Sequence, residues 1–274
     1  MSAGLRTLPV ALPAAATAPR AAGRWLAYGV LGLPLAIAAL PLYVHVPRLY
    51  AEAGVDLALL GALLLAARLA DAGIDPLLGR WSDRAASRRR LILLALPFLA
   101  FGMLALLHPP ATGAAPWLLA SLLATCFGFS LASIAYQAWG AELGRDSGER
   151  TLLTAGREGF GLAGVILASL LPLLLAADAA TGLSRLAWLF LPLLALAALL
   201  TLARTPEPVA RFSAAGTPGL RRALADPRFV RLLAVFVANG IAAALPFSLS
   251  AQTSFEYDSN VSLGGNDGPS GSTS

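Results

Sequence analysis

The residues best suited to chemistry stand in an apolar run, 63–79, where Arg68, Asp71 and Asp75 are spaced i, i+3 and i+7. On a helix that spacing puts all three on one face, with leucines covering the rest. A charge at the centre of a membrane helix costs about 2.5–3.5 kcal/mol, so three on one stripe must face a cavity or one another. Counted from Leu57, Arg68 falls roughly 16 Å into a bilayer, Asp71 roughly 21 Å, and Asp75 about 27 Å, near the far interface. Two carboxylates on successive turns offer oxygen ligands to a small hard cation, Na⁺, or a seat for H⁺, and Arg68 balances them when the site is empty. Pro76 donates no hydrogen bond to the Ala72 carbonyl, which frees that oxygen beside the acids. A structural ion-pair cluster tying helices together is the competing reading.

Such a stripe needs lipid around the helix that carries it. At 57% hydrophobic and 13% charged residues, the 274-residue chain has too little polar surface for a water-soluble globule. Apolar runs long enough to cross a bilayer fall at 25–46, 57–79, 91–107, 115–143, 159–177 and 183–203, and a seventh begins at 232 and ends near 247. All twenty basic residues are arginine, and all but Arg48, Arg68 and Arg185 lie in the N-terminal tail or in the loops after the second, fourth and sixth runs. Those segments are therefore expected on the cytoplasmic side, in a bacterial inner membrane, with the N-terminus inside.

This yields an all-α integral membrane protein: a disordered cytoplasmic tail (1–24), a six-helix bundle (25–203), a cytoplasmic interdomain loop (204–231), a partial seventh helix (232–247) and a disordered polar tail (248–274). The abrupt change to Ser, Gly, Asn and Asp after Phe247 reads as a truncated or frame-shifted product.

Other chemistries find little support. The arginines are clustered between apolar runs, not set on a basic face with interleaved aromatics, so no nucleic-acid partner is expected. Cys126 is the only cysteine and lies inside an apolar run, which excludes an intrachain disulfide. His45 and His108 share no metal-ligand spacing with it or with paired acids, so no metal is expected beyond the Na⁺/H⁺ site. No phosphate-cradling glycine loop suggests ATP, no local motif supports a Ser-His-Asp hydrolase, and no cofactor is expected.

At the polar end of the fourth run, Tyr136, Gln137 and Trp139 could stack on or bond to a solute, although aromatics there are also common interface anchors. Glu142 has Arg145 and Arg150 as nearby partners, and Arg157 opens the fifth run beside Glu158.

Between the second and third runs stands Gly79-Arg-Trp-Ser-Asp83-Arg84, then Ser87-Arg-Arg-Arg90. This segment resembles the signature loop of the major facilitator superfamily, which implies a gating role for Asp83 and Arg84 and a close helix contact at Gly79. Tyr28-Gly29, the 67–79 segment, Ala135-Tyr-Gln-Ala-Trp-Gly-Ala-Glu142 and Glu149-Arg-Thr…Arg157 extend the likeness over roughly residues 25 to 246. Together they resemble the glycoside–pentoside–hexuronide:cation symporter family, the melibiose permease-like group. That resemblance implies Asp71 and Asp75 as the cation-coordinating pair, Arg68 as their basic neighbour and Arg157 as a substrate-side arginine. It also implies two six-helix halves with the solute between them. This sequence departs from the family pattern at two places where sugar-transporting members have acids: the apolar run 32–36 and Ser133.

The function expected is Na⁺- or H⁺-coupled symport of a small organic solute such as a sugar or glycoside, by alternating access. The partners expected are the solute, the cation and membrane lipid. A non-transporting fragment and an exporter of amphipathic, drug-like solutes are the alternatives.

Overall fold

The computed structural model describes residues 18–144, 146–207, 225–231 and 234–235. The chain divides into two units, Met1–Ala210 and Arg211–Ser274. In the first, the described residues form helices α1 (Ala18–Gly29), α2 (Gly32–Leu40), a π-helical turn (Pro41–His45), α3 (Val46–Glu52), α4 (Leu57–Arg84), α5 (Arg88–Leu106), α6 (Ala114–Leu143), α7 (Ser147–Leu175) and α8 (Ala179–Arg204). In the second, 227–231 are helical, with the Asp226 side chain accepting from Arg228 N–H. The expected seventh helix, the polar tail and most of the N-terminal tail and interdomain loop lie outside the described residues.

Among the described residues, six helical stretches are long and apolar enough to cross a membrane, the first being α1 and α2 together. Prolines shape that first span. Pro34 has no N–H for the Val30 carbonyl and its ring would crowd it. The chain turns at Val30–Leu31, and Leu33 N–H takes the Val30 carbonyl at 3.1 Å. At this break two backbone carbonyls are taken by side chains from other helices: Thr201 Oγ1 donates to Ala27 O at 2.8 Å, and Tyr136 OH to Tyr28 O at 2.5 Å. Further along, Pro41 and Pro47 flank the π-helical turn, where Val46 N–H reaches Pro41 O.

The other helices begin at caps. Asp56 accepts from Ala58 and Leu59 N–H, Ser87 from Arg90 N–H, Asp146 from Glu149 N–H and Asp178 from Thr181 N–H. Two expected boundaries are corrected, one by the Asp146 cap and one by the extended backbone at Ala85. The second helix does not stop at Gly79 but runs through Pro76 to Arg84, so Gly79, Asp83 and Arg84 occupy its last turns and the connection is only 85–87. The fifth helix starts at Ser147, not at 159, because Asp146 caps it, and Arg157 lies well inside it.

The bundle is organised around α6, the most buried helix, which packs along α5 on one side and α4 on another. A second wall is α1 and α2 against α7, with α8 bridging α7 and α5. Glycines set the closest crossings, as expected where helices pack in lipid. A Cβ on Gly29 would sit 2.8 Å from the Gly156 carbonyl carbon, and one on Gly102 would sit 2.7 Å from Thr125. Helices α4 and α7 keep most of their apolar surface uncovered.

Candidate functional site

The charged stripe of α4 meets α6. Asp71 is half-buried, and Ser130 Oγ donates to its Oδ1 at 3.0 Å. Arg68, Asp71 and Asp75 are close enough to interact electrostatically with one another and with buried Cys126, one turn before Ser130 on α6. Asp75 Oδ1 is sealed from solvent and has no hydrogen-bond partner, while Arg68 extends to the surface. A sealed carboxylate oxygen with no donor is what a bound cation or proton would complete. Among the described residues no group of three or more His, Cys, Asp or Glu forms a metal cluster. The oxygens at hand are two carboxylates and a hydroxyl, a donor set suited to a monovalent cation or a proton. Ser130 was missed in the sequence; the available signal was a hydroxyl four residues after Cys126 in a run of apolar residues.

A cavity of about 220 Å³ opens between α2, α6 and α7. Tyr136, Gln137 and Arg157 all line it, so three of the four expected solute-path residues come together, along with Ser133 and Glu158. The opposite wall is Gly32, Leu35 and Ala36 of α2, the apolar run noted above. Arg157 donates through Nε and Nη2 to Glu158 Oε1. A Cβ on Gly32 would lie 2.7 Å from the Arg157 carbonyl, so the absence of a side chain there lets α2 approach α7. Tyr136 is buried in a reciprocal clasp: its hydroxyl bonds Tyr28 O, the Tyr28 hydroxyl bonds Tyr136 O at 2.8 Å, and the rings lie 4.4 Å apart.

Trp139, the fourth expected residue, is not on the cavity. It is fully buried at the arginine-rich end, where its indole N–H donates to Pro206 O at 3.2 Å and the Arg89 guanidinium lies 5.8 Å above its ring. Arg89 also donates to Thr205 O, which straps the end of α8 to α5 and α6.

Contacts at this end depart from expectation at Gly79, where the close helix contact expected is not found: a Cβ there would meet nothing within 4 Å among the described residues. Asp83 and Arg84 are exposed, and their helix is tied down by Arg88. Arg88 donates to Ser82 O and, at 2.8 Å, to Ser82 Oγ, and through Nε and Nη2 to Glu142 Oε1 at 3.2 and 2.7 Å. Glu142 thus pairs with Arg88. Arg150 instead donates to Gly144 O, and Arg145 lies outside the described residues. Arg24 reaches Glu149 at 3.2 Å, joining the middle of α1 to the start of α7.

Among the described residues, six membrane-length helices, with ionisable groups turned onto neighbouring helices and a cavity with polar side chains on its walls, define a multi-pass helical membrane protein of transporter type. The family described as MFS/sugar transport protein matches residues 24–252, and the chain belongs to it. Comparison with curated proteins gives no match.

Proposed function

We propose that the protein carries out cation-coupled symport of a small organic solute, such as a sugar or glycoside, by alternating access, within the melibiose permease-like group of its family. Asp71 and Asp75 hold the coupling cation, Na⁺ or H⁺, and Arg68 compensates their charge in the unloaded state. The solute passes along the cavity beside Tyr136, Gln137 and Arg157. The orientation is N-terminus cytoplasmic in a bacterial inner membrane, which puts Gly79, Asp83 and Arg84 on the cytoplasmic side as gating residues. The observation that supports this reading most is the sealed, unpartnered Asp75 Oδ1 beside the Ser130-bonded Asp71.

The site stores the coupling energy as electrostatics. Two neighbouring carboxylates in a poorly solvated setting repel until a cation or proton neutralises them. Loading therefore favours helix arrangements that close over the site, and the ion gradient biases the cycle. Calorimetric titration of Na⁺ into the purified protein at pH 7.5, with Li⁺ and K⁺ beside it, tests the assignment. Saturable binding lost in an Asp71→Asn/Asp75→Asn variant is expected for Na⁺ coupling. For H⁺ coupling, proton uptake on solute addition in weak buffer is expected instead, again lost in the variant. A folded wild type that shows neither sinks the proposal.

A further inference from the structure

The end of α8 meets the first turn of α5 in a cluster whose hydrogen bonding is incomplete. Arg89 donates through Nη2 to Thr205 O, its guanidinium lies 5.8 Å above the Trp139 ring, and Trp139 gives its own N–H to Pro206 O. Arg89 Nε is nonetheless sealed from solvent and has no hydrogen-bond partner. Thr205 is 1% exposed, and its Oγ1 has no partner either. The two residues touch, yet these two atoms do not satisfy each other. A polar group closed off from water and left unpaired is destabilising, so both donors call for an acceptor.

Charge says which acceptor. Among the described residues no carboxylate pairs with Arg89, whereas its neighbour Arg88 holds Glu142. A carbonyl and an aromatic face share the guanidinium charge without neutralising it. Arg89 also stands in the first turn of α5, where backbone N–H groups have no intrahelical acceptor and the helix end is positive. A water molecule would take both bonds and leave that charge uncompensated. An anion takes both and compensates it. Closure against solvent favours a small monovalent anion over a phosphate or sulfate dianion, whose desolvation costs more.

We infer that this cluster binds a small inorganic anion of the chloride class between Arg89 Nε and Thr205 Oγ1. The anion fixes residues 205–206 over Trp139 and so ties the chain leaving α8 to α5 and α6. The strap strengthens with anion concentration on the arginine-rich side, independently of any cation at Asp71 and Asp75.

Chloride itself is the probe, exchanged for gluconate at constant ionic strength and fixed Na⁺, on the full chain in dodecylmaltoside. Thermal unfolding followed by circular dichroism reads stability, and the chloride NMR linewidth reads binding directly. Chloride at ten times its Kd is expected to raise the folding equilibrium constant about elevenfold, seen as a higher midpoint, with saturable line broadening over the same concentrations. Thr205→Val keeps the side chain's shape and removes the hydroxyl. It should lose about tenfold in chloride affinity yet be no less stable than wild type in gluconate, because the orphaned hydroxyl goes with the substitution. Arg89→Lys keeps the charge without the Nε–H and should weaken chloride binding by a similar factor, whereas Arg90→Gln, at an exposed neighbour, should leave it unchanged. An absence of saturable chloride binding to folded protein overturns the inference. So does binding that Thr205→Val leaves intact or that Arg90→Gln removes equally, which would place the anion on the exposed arginines. A loss of stability of Thr205→Val in gluconate also overturns it, since the hydroxyl would then have a protein partner.

Discussion

Replacing Arg88 and Glu142, singly and together, measures where the strength of the arginine-rich end resides. The Arg88 side chain is 11% exposed and gives Nη1 to Ser82 Oγ and O while holding Glu142 with Nε and Nη2. Ser82 is buried, so loss of Arg88 strips a hydroxyl of its donor where water does not replace it, although Ala85 N–H still serves the Ser82 carbonyl at 3.1 Å. Losing hydrogen bonds from a charged donor to a buried group costs about 1–3 kcal/mol. The ion pair itself is worth less than about 1 kcal/mol, because Glu142 is 41% exposed and rehydrates when released. Arg88→Ala is therefore expected to cost about 2–3 kcal/mol, Glu142→Ala about 0.5–1, and the double variant about as much as Arg88→Ala alone. Reversible unfolding in mixed dodecylmaltoside and dodecyl sulfate micelles, followed by far-ultraviolet circular dichroism, reads these values. Asp83→Asn and Arg84→Gln serve as exposed controls, expected within about 0.5 kcal/mol of wild type. A Glu142→Ala cost equal to that of Arg88→Ala refutes the reasoning, because the energy would then lie in the ion pair and not in the contact with Ser82.

Three further outcomes are expected. Gly29→Ala puts a methyl 2.8–2.9 Å from backbone atoms of Gly156 and from the Phe160 ring, which do not yield as a flexible chain end would, so a loss of about 1–3 kcal/mol is expected in the same unfolding assay. Gly23→Ala in the same helix meets nothing within 4 Å and should not destabilise. Ser130→Ala removes the donor to Asp71 and should weaken cation binding about tenfold or more in calorimetry, with the fold unchanged. Bonds from the Thr181 side chain and then its N–H hold the Asp178 carboxylate below its ordinary range. The sign follows from a depressed folded-state value: the contribution to stability is present above the unfolded carboxylate range and is lost as pH falls through the folded value. The first turn of α8 should therefore exchange its amides faster in strong acid, after correction for intrinsic rates, and Asp178→Asn should lose that pH dependence.

The membrane spans were legible because a run of about twenty apolar residues has few other fates. Their ends were not. An apolar count stops where the hydrocarbon stops, but a helix continues into water until a cap or an extended residue ends it, hence Arg84 instead of Gly79 and Ser147 instead of 159. The stripe of Arg68, Asp71 and Asp75 could be read from its spacing. Ser130 could not, because which side of α6 meets α4 is decided by packing. Trp139 misled for a related reason: an aromatic near the end of a span reads as an anchor or a solute platform, yet here the chain beyond α8 folds over it and accepts its N–H. The partner of Glu142 was sought nearby in sequence, whereas Arg88 comes from 54 residues away across two helix ends.

Under the proposed function, one turn of α6 gives coupling a short physical route. Ser130 on that turn bonds Asp71, while Phe129 and Ser133, one residue before and three after, line the cavity. The helix between them is regular and buried, and the Ser130–Asp71 bond ties α4 to it, so the two move as one body and a shift of that body on loading or losing a cation is carried rigidly to the cavity wall. The far side of the cavity is held differently. Helices α2 and α6 touch sparsely, and the Tyr28–Tyr136 clasp spans the gap where Pro34 breaks the first span and leaves Tyr28 O for a side-chain donor. A rigid α6 against a first span already broken at that level makes α1 and α2 the part that yields. Cation loading would then alter the width of the cavity more than the conformation of the acids. Distances between spin labels on α2 and α6 should accordingly change with Na⁺ or pH, while those between α4 and α6 stay nearly constant.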